Sequence, residues 1–143
     1  MAKKKKLGDI VEIPLGNGEN AYARLYKEGN LGIFVGRYHN YDEVPPNVDF
    51  YRFIGVYRSE LSKLQVVGSR PFENGEDNWA PDKVIVDAIT LKGRLYHHGE
   101  IIECSYNECK DLEVCAVWEL HHLIDMLNGE TKWDDSLKRP KDI

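Results

Sequence analysis

Long hydrophobic runs are missing from this chain. No stretch approaches the roughly 18 consecutive apolar residues of a membrane-crossing helix, so no membrane partner is expected. No apolar segment follows the N-terminal lysines either, which argues against a secretory leader. Cysteine is scarce and odd in number, at Cys104, Cys109 and Cys115. Reduced thiols in a cytoplasmic protein are the simplest account. There is no Walker loop, no dinucleotide fingerprint and no HExxH. Ser59, Ser62, Ser69, Ser105 and the three cysteines lie in no nucleophile elbow, so covalent catalysis lacks its base and orienting carboxylate. The expectation is a protein that is not an enzyme and needs no cofactor.

Positive charge is also thin outside one place. The formal net charge is −5, yet Lys3 to Lys6 supply four consecutive cations. Beyond them 15 basic residues face 24 acidic ones, leaving −9 from Leu7 onward. A body of that sign repels phosphate backbones, which argues against direct nucleic-acid binding and favours a basic partner. Residues 1–6 read as a solvated, disordered tail.

Metal ligands of the structural-zinc kind are not patterned here. The run His97-His98-x5-Cys104-x4-Cys109-x5-Cys115 lacks a CxxC knuckle, and Cys104 and Cys115 sit among apolar residues where a free thiol packs as a small hydrophobe. His121 and His122 are adjacent on a helical pattern, about 100° apart, without the i, i+4 spacing of a chelating pair. No metal site is expected.

What is present is β-sheet vocabulary. Eight Tyr and three Trp in 143 residues favour strands and aromatic packing. The chain opens with Gly8-Asp9-Ile10-Val11-Glu12-Ile13-Pro14-Leu15, a turn at Asn17-Gly18, then Ala21-Tyr22-Ala23-Arg24-Leu25-Tyr26. Asn-Gly tolerates the positive φ that a tight hairpin demands. In the second strand Ala21, Ala23 and Leu25 share one face, and Tyr22, Arg24 and Tyr26 the other. Further strands are expected over residues 31–38, 48–57 and 83–91, with a hairpin over 93–103 turning at His98-Gly99. Gly32 and Gly36 mark bulges or close backbone approach. Ser59 to Leu64 reads as one helical turn or a short crossing, leading to Val66-Val67. The stretch 68–81, with its acidic centre, is the longest irregular segment. Residues 112–118 read either as part of one long helix or, preferably, as a strand before a helix spanning 119–128 that stops at Gly129. The chain therefore reads as mainly β (α+β), a curled antiparallel sheet or partly open barrel with one C-terminal helix. Residues 7–130 form a single domain and 131–143 a polar, fraying tail.

Within the opening hairpin, Gly8 is expected to permit an unusual backbone angle, and Asp9 to accept turn amides or pair with Arg24. Tyr22 and Arg24 form a face that serves either as packed scaffold or as contact surface.

The G-D-hydrophobic-x-x-I-P-L strand at Gly8–Leu15, Tyr22-Ala23-Arg24-Leu25 and Ile33-Phe34-Val35-Gly36 resemble the opening of the bacterial immunity protein 26 family. Ala116-Val117-Trp118-Glu119-Leu120-His121-His122-Leu123 resembles that family's closing strand and helix, and Ala23 stands where Gly is frequent. The resemblance implies a β-rich immunity protein of a polymorphic toxin system, which protects its own cell by binding the toxin. It also implies scaffold roles for Gly8, Asp9, Tyr22, Arg24 and Trp118. A cognate toxin, basic around its active site, is the expected partner, met by acidic loops at Asp42, Glu43, Glu73, Glu76 and Asp77. A G-D-I-V strand followed by proline also resembles mRNA interferases of the PemK/MazF type, barrels that act on RNA. Arg24-Leu25 departs from their Arg-Pro pair, and the body charge is wrong for RNA. A non-catalytic adaptor domain is the remaining alternative.

Overall fold

The computed structural model describes residues 4–129 and 138–142. Lys3 of the lysine run, and residues 130–137 and 143 of the expected C-terminal tail, lie outside the described residues.

The opening hairpin forms as read. Strand β1 (Asp9–Gly16) pairs antiparallel with β2 (Glu19–Leu25), and Asn17 and Gly18 take φ of 57° and 76° between them. Strand β3 (Asn30–Phe34) and strand β4 (Phe50–Val56) extend the sheet on one side. A helical turn, α1 (Arg58–Leu61), leads into β5 (Gln65–Ser69), which returns to pair with β1. Strands β6 (Lys83–Val86), β7 (Gly93–His97) and β8 (Glu100–Ile102) follow, then a helical turn, α2 (Tyr106–Cys109). Two short strands, β9 (Glu113–Val114) and β10 (Val117–Trp118), precede the helix α3 (Leu120–Leu127).

The protein is mainly β with a C-terminal helix, as expected. Among the described residues the strands divide into two mixed sheets and close no barrel. The larger has the order β10-β4-β3-β2-β1-β5 and the smaller β8-β7-β6-β9. Residues 112–118 are not one strand. Val114 joins the small sheet in parallel with β6, Trp118 joins the large sheet in parallel with β4, and Cys115-Ala116 cross between them. The strand expected over 83–91 ends at Val86. Asp87 Oδ1 accepts from the amides of Ile89 and Thr90, and this local turn outcompetes the ladder. The turn α2 carries a reciprocal capping box between Ser105 and Glu108, a readable signal absent from the sequence expectations.

Period-two alternation decides the cores. Val11, Ile13, Ala21, Ala23, Leu31, Ile33 and Ile54 face α3, which covers them with Leu123 and Met126. The opposite face carries Ile10, Tyr22 and Phe34 beneath Val44 of the 38–48 loop. A third cluster joins Val84, Val114 and Cys109 under the small sheet. Cys109 is the buried thiol; Cys104 is half-buried and Cys115 exposed, because the crossing at 115–116 leaves the sheet's interior. Gly129 ends α3 at φ 90°. The C-terminal stretch docks where it is described: Pro140 is buried, and Lys141 donates its amide to the Leu91 carbonyl.

Gly32 shows why the large sheet has a glycine at its centre. A Cβ there would meet ring atoms of Phe53, Tyr26 and Phe50 at 2.8, 2.8 and 2.9 Å. Gly32→Ala is expected to cost about 1–3 kcal/mol through overpacking, read as a lowered denaturation midpoint.

Candidate functional site

Contacts within the fold occupy the Tyr22/Arg24 face. Tyr22 is fully buried, its hydroxyl donates to Glu12 Oε1 at 2.8 Å, and its ring packs on Tyr38 and Tyr41. Arg24 does not pair with Asp9. Its Nε donates to the Arg70 carbonyl at 2.8 Å, its Nη2 to the Pro71 carbonyl at 3.0 Å, and its guanidinium lies 3.7 Å from the Phe72 ring centre. Asp9 instead accepts the Lys6 amide at 2.8 Å, which ties the end of the lysine run to the sheet. Gly8 has φ 93°, and a Cβ there would stand 2.9 Å from the Arg70 carbonyl oxygen. Trp118 is buried in the main core.

Arg70, which sequence reasoning did not single out, joins two loops. Its Nε donates to the Tyr41 hydroxyl at 2.9 Å, and Nη1 and Nη2 donate to the carbonyls of Pro46 and Pro45 at 3.3 Å. The guanidinium also lies over Phe34. Arg24 and Arg70 together pin the 41–46 loop and the start of the 70–82 loop against the same face of the large sheet. The two acidic loops are therefore brought together. Asp42, Glu73, Glu76 and Asp77 are exposed in them. Glu43 is exposed too, yet its Oε1 accepts the amides of His39 and Asn40 at 2.8 and 3.1 Å, so this carboxylate holds its own loop.

An aromatic platform adjoins these clamps, with Arg70 over Phe34 and Arg24 over Phe72. Phe50 packs on Phe34 and Phe53 with ring centres 5.2 and 4.9 Å away, and Tyr26 bridges Phe53 and Phe72 at 5.1 and 5.0 Å. Phe50 keeps 37% of its surface exposed. Phe50 and Phe53, three apart, should face opposite sides of a regular strand. A register shift places Phe34 opposite Phe50 but Ile33 opposite Arg52, and the extra residue turns both rings to one face.

A concavity lies where the two sheets meet, about 250 Å³ in volume, lined by Glu28, Trp79, Lys83, Tyr96, His98 and Cys115 among others. Lys83 is only 5% exposed, and its Nζ donates to Asn30 Oδ1 at 2.5 Å. Burial holds the Lys83 amine below the usual lysine range. The Tyr96 hydroxyl donates to the Glu28 carboxylate at 2.8 Å; burial first, then that carboxylate, push the phenol up to about 12. These polar groups satisfy one another across the joint, so the cavity reads as a seam between sheets.

Compared with known proteins, the chain matches no family model, no curated protein and no solved structure. Among the described residues no helix is long and apolar enough to cross a membrane.

Proposed function

We propose that this protein is an immunity protein of a polymorphic toxin system, acting in the cytoplasm by binding a basic toxin stoichiometrically. The observation that carries this reading is the surface on the large sheet: an aromatic centre with exposed Asp42, Glu73, Glu76 and Asp77 in two loops, of which Arg24 and Arg70 hold the 41–46 stretch and residues 70–71. Binding energy concentrates in central aromatic anchors, while acidic groups around them steer a cationic partner. Preformed loops lower the ordering cost of association. The resemblance in the opening strands supports the same class of function.

Co-expression with the toxin encoded beside it tests the proposal, growth rescue being the expected result. Reversing Asp42, Glu73, Glu76 and Asp77 to Lys should slow association by about tenfold or more at low salt, with the difference shrinking as salt is raised. Glu43 is left intact in that variant because it caps its own loop. Stopped-flow binding measures the rate. Absence of rescue against every adjacent toxin, or an association rate indifferent to the reversal, overturns the reading.

A further inference from the structure

The hairpin of β7 and β8 presents a cluster that neither the toxin-binding reading nor the core uses. Lys83 pairs with Tyr96, so the preceding residue on one strand, Asp82, lies beside the following residue on the other, His97. Their side chains meet, with His97 Nδ1 2.7 Å from Asp82 Oδ1. The next residue, His98, opens the turn at φ 45°, a left-handed conformation uncommon for a residue with a side chain. On a regular strand His98 would point away from His97. The positive φ brings it back, and the two rings stack with centres 4.0 Å apart and planes 12° from parallel. Trp79 stacks on the other side of this pair, its ring centre 5.0 Å from that of His98.

One donor atom from each of Asp82, His97 and His98 lies within 4.8 Å of the other two. A tetrahedral ion with bonds of about 2.0–2.1 Å needs its donors roughly 3.3 Å apart and each imidazole edge-on to it, so binding must turn His97 and His98 out of their stack and replace the 2.7 Å His97–Asp82 hydrogen bond with two metal bonds. We propose that this hairpin tip binds one divalent transition-metal ion of the zinc class through Asp82, His97 and His98. Two imidazoles and one carboxylate suit a borderline ion better than Mg²⁺ or Ca²⁺, which prefer all-oxygen shells. The side chains of His97 and Asp82 are 43% and 34% exposed, so the remaining coordination position opens to solvent. No metal site is expected from the sequence, where His97 and His98 stand with the three cysteines, because Asp82 reaches the histidines only through strand register.

A second cluster, Glu119, His121 and His122 at the start of α3, also brings its donor atoms within 4.8 Å. The 100° stagger of adjacent helical positions is closed by side-chain rotation, and the two rings lie 3.9 Å apart. Its His121 and Glu119 side chains are 64% and 49% exposed, more open to water than His97 and Asp82, so it serves as the comparison site. The test is titration of the full chain with Zn²⁺ by calorimetry and with Co²⁺ by absorbance. The expected result is saturable binding of one ion at the tip, with no thiolate-to-cobalt charge-transfer band. His98→Asn tolerates the positive φ, and Asp82→Asn keeps the side-chain shape. Each should weaken binding at least about tenfold while leaving the metal-free melting temperature within a few degrees. The double variant His121→Ala/His122→Ala should bind as the parent does. Lack of saturable binding, affinity unchanged in His98→Asn and Asp82→Asn, or binding lost only in the His121/His122 variant overturns the site. Because no toxin enters this measurement, its outcome is independent of the immunity reading.

Discussion

Replacing Trp118 with Ala should destabilise the protein by about 3–5 kcal/mol, a large share of the roughly 5–15 kcal/mol that keeps a domain folded. Trp118 sits 6% exposed at the end of a two-residue strand. It is opposite Val56, its carbonyl accepts the Tyr57 amide, and the Arg52 guanidinium lies 5.6 Å from its ring centre. A strand this short has few ladder bonds, so burial of the indole is what holds β10 against β4. Losing it leaves a void that α3 can only partly fill. Urea denaturation is the measurement, and the midpoint should fall with little change in slope. A loss below about 1 kcal/mol would show that β10 contributes little to the core.

The second large effect is expected at the joint between the sheets. Asn30→Ala removes the acceptor for the buried Lys83 amine, along with the bond from Asn30 Nδ2 to the Lys27 carbonyl. A buried amine left without its acceptor costs the desolvation of that group, so a loss of about 1–3 kcal/mol is expected. The pair Asn30→Leu/Lys83→Met replaces both partners with apolar groups and should recover more than half of what Asn30→Leu alone loses. A double-mutant cycle isolates the coupling from the Lys27 bond. Additive single losses would mean that Lys83 draws nothing from Asn30.

Much of the hairpin was legible because its determinants are local. Asn17-Gly18 and His98-Gly99 adopt the positive φ values that their turns demand, and the alternation separated Ala21, Ala23 and Leu25, in one core cluster, from Tyr22, in another, without showing that both faces are covered. The helix over Leu120–Leu127 and its stop at Gly129 followed from spacing and one glycine. The candidate contact loops were legible as acidic and irregular, yet Glu43 looked no different from Asp42 until its carboxylate was seen capping His39 and Asn40.

By itself, then, the sequence determined the β-rich class, the two tight turns, the closing helix and the sign of the surface. Each rests on backbone preference, short-period burial or summed charge, all of which act within a few residues or without regard to geometry. Tertiary structure alone decided the rest. The extra residue in β4 turned Phe50 and Phe53 to one face, the chain crossing at Cys115-Ala116 split one expected strand between two sheets, and strand register set Asp82 beside His97. Arg70 reached across 29 residues to Tyr41 and joined the loops. These outcomes depend on which distant segments pair and in what register, and no local propensity carries that information.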